Sequence, residues 1–265
     1  MAGSTSSNLL SQIAGLPASS NLQSALFTIE SGANDFVENL GLGSNDLAWS
    51  GVISNAVANV TNAVGILYTN GAREVLVGNL FNLGQTPLFN TLLPDEVAYG
   101  DSKVALFNTQ FASALTNAMQ HNPGLRIYVA DFNQQRSNIV SAPAAYGFTV
   151  STIGVLQDTN LTDKSFTGPG ADYVFWDPGH PTTKGHALLA ALAFQCVGVQ
   201  LNIARTGTNL NLMVNNLYPS LSYTIQSSAN LATWSNYQTF TATYTNAAVV
   251  LTNGPGTKLF YRVGY

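Results

Sequence analysis

Along the first 200 residues the chain alternates between two hydrophobic periods. Short continuous apolar runs stand at Ala25-Leu26-Phe27-Thr28-Ile29, Glu74-Val75-Leu76-Val77-Gly78-Asn79, Arg126-Ile127-Tyr128-Val129-Ala130-Asp131 and Tyr173-Val174-Phe175. Between them lie longer stretches with helical spacing. Asp46 to Asn70 carries Val52, Ile53, Val57, Val60 and Val64 on one stripe, and Asp95 to His121 is stopped by Asn122-Pro123-Gly124. A run rich in Ala and Leu extends from Thr183 to about Val197. Apolar strands alternating with helices predict an α/β domain whose parallel sheet is covered on both faces. The last 60 or so residues change period. Leu210–Val214, Tyr223–Gln226, Thr239–Thr243 and Phe260–Val263 mostly alternate, separated by Asn, Ser, Gly and Pro, which predicts a small antiparallel β domain. The expected division is therefore 1–200 and 201–265, with the boundary near Gly198–Thr208.

Composition narrows the possible functions. The chain is 46% hydrophobic and 8% charged, against about 25% charged in an average domain. It has apolar material for a core, so charge-driven disorder is excluded. Nine Lys+Arg without a basic run, at net charge −4, speak against nucleic acid. No apolar stretch reaches the ~18 residues of a membrane span. The segment Met1–Ser7 lacks the charged and apolar regions of a secretory signal. Cys196 is the sole cysteine, which excludes an intramolecular disulfide and a Cys-rich metal site.

Three histidines shorten the search for chemistry. His121 sits at a helix end, where a solvated cation is favourable, and His186 opens an apolar helix, where packing is expected. His180 stands apart, in Trp176-Asp177-Pro178-Gly179-His180-Pro181-Thr182, between a strand and a helix. Open α/β sheets carry reactive groups at that edge. One turn brings the Asp177 carboxylate against the imidazole, where it can fix the tautomer and stabilise the imidazolium. A helix-capping Asp beside an incidental His is the alternative. A second apolar run ends in Gly32-Ala33-Asn34-Asp35, and the Asn34 amide is of a type that can donate to an oxyanion. A plain turn is the alternative there. Glu30, Asp35 and Glu38 could hold Ca²⁺ through hard oxygen ligands. Solvated carboxylates are the simpler expectation, and neither metal nor cofactor is assigned.

Together, Gly32-Ala33-Asn34-Asp35 and Asp177-Pro178-Gly179-His180-Pro181-Thr182 resemble the G-x-N-D and D-x-x-H-P-T blocks of the SGNH (GDSL) hydrolase family of esterases and lipases. The segment Val77–Pro87 between them is similar to the family's as well, and the likeness covers roughly residues 2–197. It implies a flavodoxin-like sheet and a small-molecule ester substrate, lactones such as acyl-homoserine lactones included. It further implies His180 as general base, Asp177 as its orienting partner, Asn34 as an oxyanion donor and the Gly3 N–H as another. The family's nucleophile is a serine in a G-D-S block after the first strand, upstream of the glycine block. No such block precedes Gly3, so the expectation is an N-terminally truncated sheet without its first strand, weak acyl transfer, and self-association along the exposed edge. Gly100-Asp101-Ser102-Lys103 has no apolar strand before it and reads as a helix start capped by Asp101. Ser4, Ser6 and Ser7 are further serines to place. The C-terminal stretch resembles β modules of secreted bacterial proteins, which implies a secreted or cell-surface setting. There Trp234 and Tyr237 could form a sugar platform, with core packing as the alternative. A catalytically silent or carbohydrate-binding protein on the same scaffold is the competing function.

Overall fold

The structure, a computed structural model, describes residues 5–16, 22–89, 92–206, 209–217, 221–244, 246–251 and 259–264. Gly3 and Ser4 lie outside these residues. The chain divides into two compact units, Met1–Phe194 and Gln195–Tyr265.

In the first unit, strands β1 (Leu26–Ile29), β2 (Glu74–Gly78) and β3 (Arg126–Ala130) form a parallel sheet in that order. Strands β4 (Val150–Gly154) and β5 (Tyr173–Phe175) form a second parallel pair. The helices are α1 (Ser6–Ala14), α2 (Ala33–Glu38), α3 (Asp46–Thr69), α4 (Pro94–His121), α5 (Phe132–Ser141) and α6 (Thr183–Cys196). The α/β class with a parallel sheet is thus as the periodicity predicts. Val75, Leu76 and Val77 of β2 are all buried, as a strand covered on both faces requires. The start of α3 is fixed by Asn45, whose side chain accepts from the Ala48 N–H. Its buried face runs Trp49, Ile53, Ala56, Val57, Val60, Ala63, Val64, Leu67, the helical spacing of a core-facing stripe. There Phe36 lies 5.2 Å from Trp49 and 5.9 Å from Phe107, the latter edge to face. Helix α4 begins at Pro94, with Glu96 reaching back to the Leu93 N–H. Asp101 is therefore inside α4 and is not its cap. Its carboxylate accepts from the Gly84 N–H at 2.9 Å, and burial raises its pKa.

Two elements escape the periodicity. Strand β4 holds two hydroxyl residues in five and is only half-buried. Helix α5, Phe-Asn-Gln-Gln-Arg-Ser-Asn-Ile-Val-Ser, buries only Arg136 and Ile139, too little apolar surface to show a stripe.

Asp35 belongs to the frame. It is buried, and its two oxygens accept from Ser6, Oδ2 from the N–H and Oδ1 from Oγ, both at 2.7 Å. Asn59 of α3 donates to Ser6 Oγ at 2.9 Å. The carboxylate thus anchors the first turn of α1 to α2 and α3, and it is not available as a calcium ligand. Among the described residues no three His, Cys, Asp or Glu side chains gather to hold a metal. Asp35→Ala should strand two buried donors and lower stability by about 1.5–3 kcal/mol. Urea unfolding followed by circular dichroism checks this, and an unchanged midpoint would refute the anchor.

The second unit contains two three-stranded antiparallel sheets. Strands β6 (Gln200–Thr206), β7 (Asn209–Asn215) and β10 (Asn246–Leu251) are ordered β10-β7-β6, and β8 (Ser222–Ser228), β9 (Ser235–Thr241) and β11 (Phe260–Gly264) are ordered β11-β8-β9. Leu212, Val214, Tyr223, Ile225 and Val249 share one core between them. Part of the stretch read as a boundary, Gln200–Thr206, is strand β6. Tyr237 packs against this core and meets Tyr261 edge to face at 5.6 Å. Trp234 has the Arg262 guanidinium over its ring at 4.3 Å and donates its indole N–H to the Leu231 carbonyl. Among the described residues no helix is long and apolar enough to cross a membrane.

Candidate active site

The carboxyl ends of the parallel strands converge on a cavity of about 670 Å³, the position expected for a ligand site in an open α/β sheet. Glu30 to Asn34 enter from the end of β1, Gly78 to Phe81 from the end of β2, Phe132 and Arg136 from α5, and Asp177 to Pro181 from the loop after β5. Leu83 and Leu88 extend its apolar wall, and His186, Leu189 and Ala190 of α6 complete it.

Two glycines let the chain pass here. Gly32 has φ +119°, a region side chains avoid, and a Cβ on it would lie 3.2 Å from the Phe107 ring. A Cβ on Gly78 would lie 2.4 Å from the Phe132 ring, so α5 can start against the end of β2 only over a glycine.

The loop after β5 is tied down at both ends. Phe175 bridges Pro181, and the Trp176 N–H donates to the His180 carbonyl at 2.8 Å. Thr182 returns to β5 twice, its N–H to the Val174 carbonyl at 2.9 Å and its Oγ1 to the Tyr173 carbonyl at 2.8 Å. Within this closed turn Asp177 Oδ1 accepts from the N–H groups of Gly179 and His180, at 2.9 and 2.8 Å. His180 Nδ1 lies 2.9 and 2.8 Å from Asp177 Oδ1 and Oδ2. Burial pushes the Asp177 carboxyl up, but these two N–H groups and the imidazole outweigh it and leave the pKa below the ordinary carboxylate value. An ionised carboxylate only accepts, so the neutral imidazole carries its proton on Nδ1 and keeps a lone pair on Nε2. The His180 side chain is 77% exposed, accessible from the cavity mouth, whereas that of Asp177 is 30% exposed.

Asn34 lies in the first turn of α2, half-buried, and lines the same cavity. The structure thus brings Asp177, His180 and Asn34 to one cavity. Of the candidate serines, Ser4 lies outside the described residues and three others are elsewhere. Ser102 Oγ donates to the Tyr99 carbonyl at 2.6 Å on the exposed side of α4, Ser6 is held by Asp35, and Ser7 pairs with Thr5 at 2.8 Å. None of the three lines the cavity, whereas Ser31 does. His186 departs from the packing expected of it. It is exposed and stands on the cavity wall. His121 is exposed at the end of α4, with Nδ1 2.9 Å from the Asn117 carbonyl.

Sequence reasoning missed Asn79 and Arg136. Asn79 lines the cavity and is fixed by the start of α5. Its Nδ2 donates to Asp131 Oδ1 at 2.8 Å, and its Oδ1 accepts from the Asn133 N–H at 2.9 Å. Arg136 is 3% exposed. Its place in a polar run gives no sign that it points inward.

An α/β unit with an Asp–His pair at the carboxyl edge of its parallel strands defines a hydrolase-like scaffold. The chain belongs to the GDSL-like lipase/acylhydrolase family, whose profile matches residues 1–193. It is similar to the GDSL esterase/lipase At5g45670 of Arabidopsis thaliana, 23% identical over 194 residues, covering 67% of this chain and 54% of that protein. It is also similar to the GDSL esterase/lipase APG of the same plant, 27% identical over 191 residues, with 65% and 54% covered. The chain spans about half the length of the curated relatives it matches.

Proposed function

We propose that this chain carries the acid–base part of an acyl-transfer site acting on carboxylic esters. In this reading His180 Nε2 takes the proton of the attacking hydroxyl and returns it to the leaving alkoxide. Asp177 holds the tautomer and balances the imidazolium, and Asn34 donates to the oxyanion. Gly3, the other donor implied by the family resemblance, lies outside the described residues. The observation that carries the reading is the contact of His180 Nδ1 with both Asp177 oxygens at 2.8–2.9 Å beside the cavity. Leu80, Phe81, Leu83, Leu88 and Phe132 on the wall support an apolar acyl or alcohol group. Lactones, acyl-homoserine lactones included, are internal esters and belong to the same proposal. So do a secreted or cell-surface setting in a bacterium, which rests on the resemblance of the second unit, and self-association along β1.

Hydrolysis of short-chain chromogenic esters tests the reading, and turnover no faster than with heat-unfolded protein would count for a silent scaffold. Fluorophosphonate labelling with peptide mapping identifies the attacking group. Ser102→Ala should leave ester turnover unchanged, because Ser102 Oγ is engaged with the Tyr99 carbonyl and does not line the cavity. Loss of turnover in that variant would make Gly100-Asp101-Ser102 the nucleophile block after all.

A further inference from the structure

The loop carrying Asp177 and His180 is gripped from outside at two successive carbonyls. The Leu88 N–H donates to the Pro178 carbonyl at 2.8 Å, and Arg136 Nη2 donates to the Gly179 carbonyl at 2.8 Å. The first grip is backbone and independent of residue type, but the second depends on a side chain that nothing in the fold requires to be charged. The Arg136 guanidinium lies 3.7 Å from the centre of the Phe81 ring and 5.0 Å from that of Phe175. Among the described residues it forms no ion pair, and its Nε is buried without a hydrogen-bond partner. Burial lowers its pKa to about 10, opposed by the charges of Glu30 and Asp177, so it is a cation at neutral pH. A buried cation with an unsatisfied N–H is a poor stabiliser, and an apolar side chain of similar length would fill the same slot at lower cost. What only arginine supplies there is a planar cation that contacts two rings while one N–H reaches the Gly179 carbonyl.

We propose that Arg136 is a positioning residue for the His180–Asp177 pair. By holding the Gly179 carbonyl it keeps the Gly179 and His180 N–H groups on Asp177 Oδ1, and so keeps that carboxylate on His180 Nδ1. Although Arg136 also borders the cavity, its role in this proposal is exerted through the loop and not on the reacting atoms. Its charge, close to Asp177, also favours the ionised carboxylate that fixes the tautomer. The proposal rests on His180 and Asp177 being the functional pair, and its test must separate the two ideas.

The test is ¹⁵N NMR of the three histidine rings above their titration, in wild type, Arg136→Met and Arg136→Lys, with His180→Ala to assign the signal. Wild-type His180 is expected in the Nδ1–H tautomer. Arg136→Met should shift it toward the Nε2–H form of free imidazole, while His121 on α4 keeps its wild-type shifts and reports an intact fold. Arg136→Lys should give a smaller shift in the same direction, since a compact ammonium keeps the charge but cannot contact both rings and still reach the carbonyl. It is read in place of Arg136→Met if that variant does not fold. Ester turnover gives a second readout. Arg136→Met should lower kcat by about 10²-fold with KM near wild type, the scale of a small misplacement. It should add little further loss in an Asp177→Asn background, because the two residues act on one pair. An unchanged tautomer in both Arg136 variants overturns the positioning role and leaves the pair standing. A wild-type His180 without tautomer bias overturns the pair, and Arg136's role with it.

Discussion

His180→Ala should lower any ester hydrolysis the chain shows by about 10²–10⁴-fold in kcat, the usual contribution of a general base. The size of the loss follows from where the imidazole stands. Its Nδ1 is fixed on the carboxylate of Asp177 and the rest of the ring is open to the cavity. Alanine therefore removes the proton acceptor without disturbing a packed side chain, and thermal stability should stay close to wild type. Asp177→Asn tests the same pair from the other side. An amide presented through its N–H₂ to Nδ1 would favour the wrong tautomer, with the lone pair on Nδ1 and the proton on Nε2. The same substitution also weakens the turn itself, because Asp177 Oδ1 accepts two backbone N–H groups. The expected order is a loss no larger than that of His180→Ala, with some reduction in melting temperature. Initial rates on one chromogenic ester, with melting curves for each variant, check both. Wild-type kcat in His180→Ala would end the assignment of a base, and unchanged kcat in Asp177→Asn would end the pair.

The parts of this fold and site legible in the sequence are those whose cause is local. Strands β2 and β5 are continuous apolar runs because sheet neighbours and helices cover them, and β1 and β3 are similar runs only partly covered; such runs look the same before and after folding. The Asp177–His180 contact needs only one turn of chain, so spacing and residue type announce it. Asn34 is legible for the same reason, as a polar residue just past the end of an apolar strand. What the sequence hides depends on distant partners. Helix α5 shows no stripe because one of its two buried residues is an arginine. Arg136 finds its place only once β2 leads into Phe81, β5 ends in Phe175 and the loop presents the Gly179 carbonyl. Asp101 looks like a helix cap in Gly-Asp-Ser, yet the helix starts at Pro94 and the carboxylate serves Gly84, seventeen residues back. Asp35 stands beside Asn34 in one block, but its role as an anchor for Ser6 depends on a contact across 29 residues. Of two adjacent residues in one motif, Asp35 is thus tied into the framework while Asn34 lines the cavity, and only their partners tell which is which.

Asn34→Ala should lower kcat by about 10²–10³-fold while KM changes little. A donor aimed at a developing oxyanion interacts weakly with the ground-state carbonyl and strongly with the charged oxygen of the tetrahedral intermediate, and losing one such donor costs about 2.7–4 kcal/mol in the transition state alone. The structure supports that role through position. Asn34 stands in the first turn of α2, on the cavity shared with His180. Its neighbours help to fix the backbone there. Gly32 makes the left-handed turn against Phe107, and Asp35 is bonded to Ser6. Alanine at 34 should therefore keep the turn largely in place, and a melting curve of the variant checks this. The contrast with Asp35→Ala is the control, since that neighbouring change is expected to appear first in the unfolding midpoint. Asn34→Asp sharpens the test, because a carboxylate of similar shape places negative charge where negative charge develops and should cost at least as much as alanine. If either Asn34 variant raised KM with kcat unchanged, the residue would be positioning substrate rather than stabilising an oxyanion.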